Sequence, residues 1–92
     1  MKYEIQKTSQ FKKDFKLALK RNCDIQKLQK IITLLANGEV LPESCFDHPL
    51  RGDYIGYREC HVEPDWLLVY KITESVLVLT LYRTGTHSDL FK

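Results

Sequence analysis

The stretch WLLVYKITESVLVLTLY at 66–82 constrains the fold more than any other part of this chain. Its two apolar runs, 66–73 and 76–83, are joined by a connection too short for anything but antiparallel pairing of neighbours. Both runs are apolar on both parities, whereas a strand with one solvated face alternates. Strands buried on both faces look like this. A third strand candidate, at about 54–62, precedes them across a similarly short turn. The second half of the chain thus reads as a meander.

Cover for one face lies upstream. Phe11, Phe15, Ala18 and Leu19 recur at helical spacing behind Thr8 or Ser9 as N-cap. Lys12, Lys13, Lys16 and Lys20 fall on a different arc of that helix, about 100° wide. The segment RNCD at 21–24 breaks the pattern, and Asp24 can cap a second helix. Ile25, Leu28, Ile31, Ile32 and Leu35 form its buried face, and Asn37–Gly38 ends it, with Gly38 suited to a left-handed cap. The segment YEI at 3–5 alternates as a short strand does. The expected fold is α+β: a short N-terminal strand and a helix hairpin packed on an antiparallel sheet of about four strands, in one domain spanning 1–92. The other sheet face is left open or forms a groove.

No run approaches the roughly 18–20 apolar residues of a membrane span, and MKYEIQKTSQ lacks an apolar signal region. A cytoplasmic protein with no membrane partner is expected. The three cysteines, Cys23, Cys45 and Cys60, are odd in number and scattered. They read as reduced thiols, not as a disulfide framework or zinc knuckle. Charge is unevenly spread: residues 1–30 hold nine Lys/Arg against three Asp/Glu. The lysine arc is either a solvated helix surface or an anchor for a polyanion.

The turn HVEPDW at 61–66 is unusual, because turns favour Gly, Asn, Asp and Ser. Here an imidazole, a carboxylate and the only tryptophan surround a proline. In a meander, the end of the strand before this turn and the end of the last strand meet at one edge of the sheet. His61, Asp65, Trp66, Arg83 and His87 therefore converge on one rim, with His48 in the preceding loop. Imidazoles titrate near neutral pH and serve as base and acid. An arginine binds phosphate oxygens and stabilises charge on them. A carboxylate orients a histidine, and an indole stacks on a base. This set fits cleavage of an RNA phosphodiester by its own 2′-OH, with no metal or cofactor. Each residue also has a plainer role: Trp66 as core, Arg83 in a surface ion pair, Asp65 as a turn former. The histidines and Asp65 are metal-ligand types, but their spacing is not that of a compact metal motif.

The segments DHPLRGDYIGYRECHVEPDWLLVYKI and RTGTHSDLF, with SQFKKDFKLALKR upstream, resemble the YafQ group of bacterial type II toxins in the RelE/ParE superfamily. The resemblance covers nearly the whole chain. It implies a RelE-like fold and an mRNA interferase that cuts messenger RNA in the ribosomal A site. It also implies a cognate antitoxin similar to RelB or DinJ, with operator DNA bound only through the toxin–antitoxin complex. The family's functional positions map onto His48, His61, Asp65, Arg83, His87 and Phe91, with Trp66 beside them. With a ribosome as the target, the lysine arc is expected to dock on ribosomal RNA. A non-catalytic rival is a nucleic-acid- or protein-binding toxin such as the ParE-type gyrase poisons, which are not expected to carry a histidine-rich rim. One feature fits poorly with strict alternation: Arg83 shares a parity with Leu77, Leu79 and Leu81, so either a bulge lies near Thr80–Tyr82 or regular pairing ends before Arg83.

Overall fold

The computed structural model describes residues 1–91. Strand β1 (Glu4–Lys7) ends at Thr8, whose hydroxyl accepts from the Phe11 amide at 3.0 Å and so starts helix α1 (Ser9–Lys20). Phe11, Asp14 and Ala18 form its buried arc. Leu19, expected on that arc, is 51% exposed; the buried positions run 11, 14 and 18, so a carboxylate occupies a place apolar periodicity could not assign. After a turn containing Asn22, helix α2 (Ile25–Ala36) buries Leu28, Ile31, Leu35 and Ala36. Gly38 ends it at φ 76°, and an added Cβ would lie 2.8 Å from Lys2 Cδ. The carbonyl of Ala36 accepts from the amides of both Lys2 and Tyr3 at 2.9 Å, tying the end of the hairpin to the entrance of β1.

The remaining strands are β2 (His48–Pro49), β3 (Arg58–Glu63), β4 (Trp66–Thr73) and β5 (Val78–Gly85), followed by the single turn α3 (His87–Leu90). The sheet order is β1-β5-β4-β3-β2. The expected meander is present as β3–β4–β5. The sheet has five strands and is mixed, because β1 lies parallel to β5 on its outer side. A parallel neighbour needs a long crossover, and here almost the whole chain supplies it. The two-residue β2 is an edge strand, where Pro49 forfeits no needed donor.

Trp66 to Tyr70 are all buried, so β4 is covered on both faces, as its apolar composition requires. Tyr70, Leu68, Leu79 and Leu81 pack with Phe11, Leu28 and Leu35 under the helices. Leu67 and Val69 pack on the opposite face with Leu90 of α3, flanked by Leu50, Tyr57 and Tyr82. A loop and a C-terminal turn cover this second face.

The parity conflict at Arg83 is resolved by a bulge. Tyr70 pairs with Leu81 and Val69 pairs with Arg83, so Tyr82 is an extra residue on β5. Leu79 and Leu81 keep the helix face, while Arg83 shares the Val69 face.

Candidate active site

The rim forms where β3 ends, β4 begins and β5 runs into α3. A capping box holds α3: Thr86 Oγ1 accepts from the Asp89 amide at 3.1 Å, and Asp89 accepts from the Thr86 amide at 3.0 Å. Arg21, at the end of α1, donates to Asp89 Oδ2 at 2.7 Å. Hydrogen bonding from Arg21, then from the Thr86 amide, lowers the Asp89 pKa to about 2. Because this folded-state value lies below the ordinary carboxylate range, the stabilisation is present above about pH 4 and is lost as pH falls toward 2. Acid titration followed by amide signals of 86–90 should show this turn stable at pH 5 and loosening below 4. An Asp89→Asn variant should lose that pH dependence.

The capped turn presents His87. Asp65 Oδ1 accepts from the His87 amide at 3.3 Å and lies 3.4 Å from its Nδ1. The rings of His61 and His87 are 6.0 Å apart. His61 Nδ1 lies 3.2 Å from the carbonyl oxygen of Pro64, so the HVEPDW turn itself holds the imidazole. Phe46 meets the ring of His61 edge-on at 5.7 Å.

Glu59, not singled out from sequence, lies at the centre of the group. It is 5% exposed, its Oε1 is 3.9 Å from His87 Nε2, and it pairs across the strands with His48. The available signal was period-two spacing: Glu59 precedes His61 by two positions and so shares its face of β3. His48 thus joins the site through β2, with its Nδ1 2.6 Å from the carbonyl oxygen of Phe46.

Arg83 lies on the same sheet face, yet its Nε and Nη2 donate to Asp14 of α1, each at 3.1 Å. Phe91 contacts both His87 and Tyr54, with ring centroids 6.4 and 5.5 Å away. Tyr54 continues to Tyr82, and Tyr82 to Tyr57, giving an aromatic row beside the histidines.

Two parts of the expected site fall elsewhere. Trp66 is 5% exposed in the helix-side core, and its Nε1 donates to Thr84 Oγ1 at 2.9 Å. That corrects its expected role as a stacking platform: the indole anchors the start of β4 to the end of β5 and offers no open face to a base. The accessible π surface belongs to Phe46, beside His61, and to Phe91 with its half-buried tyrosine neighbours. Lys12, Lys13, Lys16 and Lys20 are exposed on α1. Lys12 and Lys16, with Lys7, line an apolar groove of about 560 Å³ walled by Ile5, Phe11, Phe15, Ile32 and Leu81.

The cysteines are unpaired, and burial raises the pKa of Cys45 and Cys60, which keeps both as inert thiols. Among the described residues, no three or more His, Cys, Asp and Glu side chains are grouped to hold a metal ion. No helix among them is long and apolar enough to cross a membrane.

The assembled groups are suited to proton transfer beside a phosphate. Two imidazoles lie 6.0 Å apart, one of them, His87, with a carboxylate near each ring nitrogen; an arginine lies on the same sheet face, and aromatic rings border the opening. The same fold occurs in proteins of known structure. The chain is 49% identical over 89 residues to the mRNA interferase toxin YafQ of Escherichia coli K12, covering 96% of this chain and 95% of that one. The crystal structure of the E. coli DinJ–YafQ complex superposes with a TM-score of 0.90 at 48% identity, covering 98% and 99% of the two chains. A metal-bound toxin from Helicobacter pylori superposes at 0.91 with 40% identity, covering 97% and 99%. The family model for the YafQ toxins of bacterial type II toxin–antitoxin systems matches residues 3–92, across the helix hairpin, the meander and the histidine rim together, and the chain belongs to that family.

Proposed function

We propose that this protein is an mRNA interferase, a ribosome-dependent endoribonuclease that cuts messenger RNA in the A site by attack of the ribose 2′-OH on the adjacent phosphorus. The carrying observation is the pairing of His61 and His87, 6.0 Å apart, with Asp65 on His87 and Glu59 beneath it. One imidazole removes the 2′-OH proton and another histidine protonates the 5′-oxygen leaving group. His61 and His87 are candidates for the base; His87 and His48 are candidates for the acid. Asp65 orients His87. Arg83 offsets the charge that develops on the phosphorane. Phe91 offers a face on which a base can stack. The products are a 2′,3′-cyclic phosphate and a free 5′-hydroxyl, which balance with no co-reactant; a 3′-phosphate forms when a water then opens the cyclic ester. The 49% identity to an mRNA interferase toxin supports this reading.

Purified protein, translating ribosomes and a reporter message test it. Codon-specific breaks ending in a 5′-hydroxyl are expected. Inhibited translation with intact message would instead identify a binding toxin.

The partners in this reading are the ribosome, its message and a DinJ- or RelB-like antitoxin, with operator DNA contacted only through the antitoxin complex. The E. coli DinJ–YafQ complex supports the antitoxin. The site of action is the cytoplasm, where translating ribosomes are.

Lys12, Lys13, Lys16 and Lys20 dock the toxin on ribosomal RNA and take no part in the chemistry. Each phosphate contact adds about one unit to the salt slope of binding. Changing Lys12, Lys13 and Lys16 to Gln should weaken ribosome association and flatten its salt dependence. Thermal stability should barely change, because exposed charges add little to folding. If the triple variant binds ribosomes normally but loses antitoxin, this face is instead a protein-binding surface.

A further inference from the structure

Asp14 projects from a helix that the chemistry above does not use, yet it is 8% exposed and fully engaged. Its Oδ1 accepts from Gln10 Nε2 and Arg83 Nη2, both at 3.1 Å. Its Oδ2 accepts from Arg83 Nε at 3.1 Å and from the Thr84 amide at 3.2 Å. The place exists because β1 stops at Lys7, opposite Leu81, so the outer edge of β5 beyond that point has no strand beside it. The Thr84 amide on that edge needs an acceptor, and α1 supplies one. The bulge at Tyr82 turns Arg83 onto the Val69 face, from which its side chain reaches the same carboxylate.

We propose that Asp14 is a positioning residue that aims the Arg83 guanidinium at the scissile phosphate. This inference rests on the phosphodiester-cleavage reading of the site. Arginine carries a long, rotamer-rich side chain, and a two-point grip through Nε and Nη2 fixes both the place and the plane of its guanidinium. Nη1 has no hydrogen-bond partner among the described residues. It is the group that a phosphate oxygen engages. Since both Asp14 oxygens are saturated, the carboxylate acts only through Arg83.

A purely structural role, capping the open edge of β5, is the competing account, and Asp14→Asn separates the two. Asparagine keeps one oxygen to accept from the Thr84 amide, but loses the charge and sets an NH₂ donor against the arginine donors. Three measurements on wild type and variant decide it. In wild type, the NMR signal of the Arg83 Nε–H should be resolved and slow to exchange; in Asp14→Asn it should move and exchange fast. Single-turnover cleavage on translating ribosomes should fall about ten- to a hundred-fold, the scale of a misplaced reacting group. Ribosome affinity should stay within about two-fold, because binding relies on other contacts. An unmoved Arg83 signal, unchanged cleavage, or affinity falling in step with thermal stability would each overturn the assignment. If wild type itself fails to cut, the functional reading falls, while the Arg83 signal still reports whether Asp14 places the arginine.

Discussion

His87→Ala should abolish growth inhibition and lower message cleavage by roughly 10²–10⁴, the usual contribution of one positioned acid or base. The fold should survive. The His87 side chain is 57% exposed and belongs to neither apolar cluster, so truncation opens no buried cavity. The backbone bond from its amide to Asp65 and the capping box of α3 do not involve the imidazole, so the turn should keep its shape. Circular dichroism and thermal melts should therefore overlay those of wild type while reporter cleavage collapses. Undiminished toxicity at equal expression would remove His87 from the mechanism.

An even larger effect is expected from the substrate side. A message with 2′-deoxyribose at the cleavage position lacks the proposed nucleophile and should not be cut at all, while its flanking codons are read normally. Toxin pretreated with EDTA should cut an all-ribose message at its ordinary rate on ribosomes kept intact with magnesium. The comparison is informative because one relative, from H. pylori, is a metal-bound toxin. Cleavage of the deoxy substrate would refute the 2′-OH as nucleophile. Loss of activity on EDTA treatment, restored by a metal, would point to metal-assisted attack.

Much of the architecture was legible in the chain because local rules and burial agree there. Phe11 and Ala18, then Leu28, Ile31 and Leu35, repeat at helical spacing, and Thr8 and Gly38 mark a start and a stop. The double-sided apolar run of β4 required cover on both faces, and Leu67 and Leu68, each 0% exposed, received it; β5 instead alternates buried with half-buried residues, and Val76 and Leu77 are exposed in the turn before it. The convergence of His61, Asp65 and His87 followed from hairpin topology alone, since antiparallel neighbours must return to the same edge.

What only the tertiary structure decided are matters of long-range pairing, on which local periodicity is silent. The parallel seating of β1 beside β5 joins residues more than seventy positions apart. Burial of the Trp66 indole depended on a partner, Thr84, brought within 2.9 Å by strand pairing. A polar edge in a short hairpin looks the same in sequence whether its aromatic ring faces in or out. Glu59 read as one strand acid among several until β2 and α3 closed around it. Asp14 is buried on α1 and Leu19, expected there, is exposed, because α1 sits over the open edge of β5, where an unpaired amide and an arginine need an anion. The residue types that can do chemistry were thus written in the chain. Which of them face each other was set by how two distant segments close over one sheet edge, where every buried donor must find an acceptor.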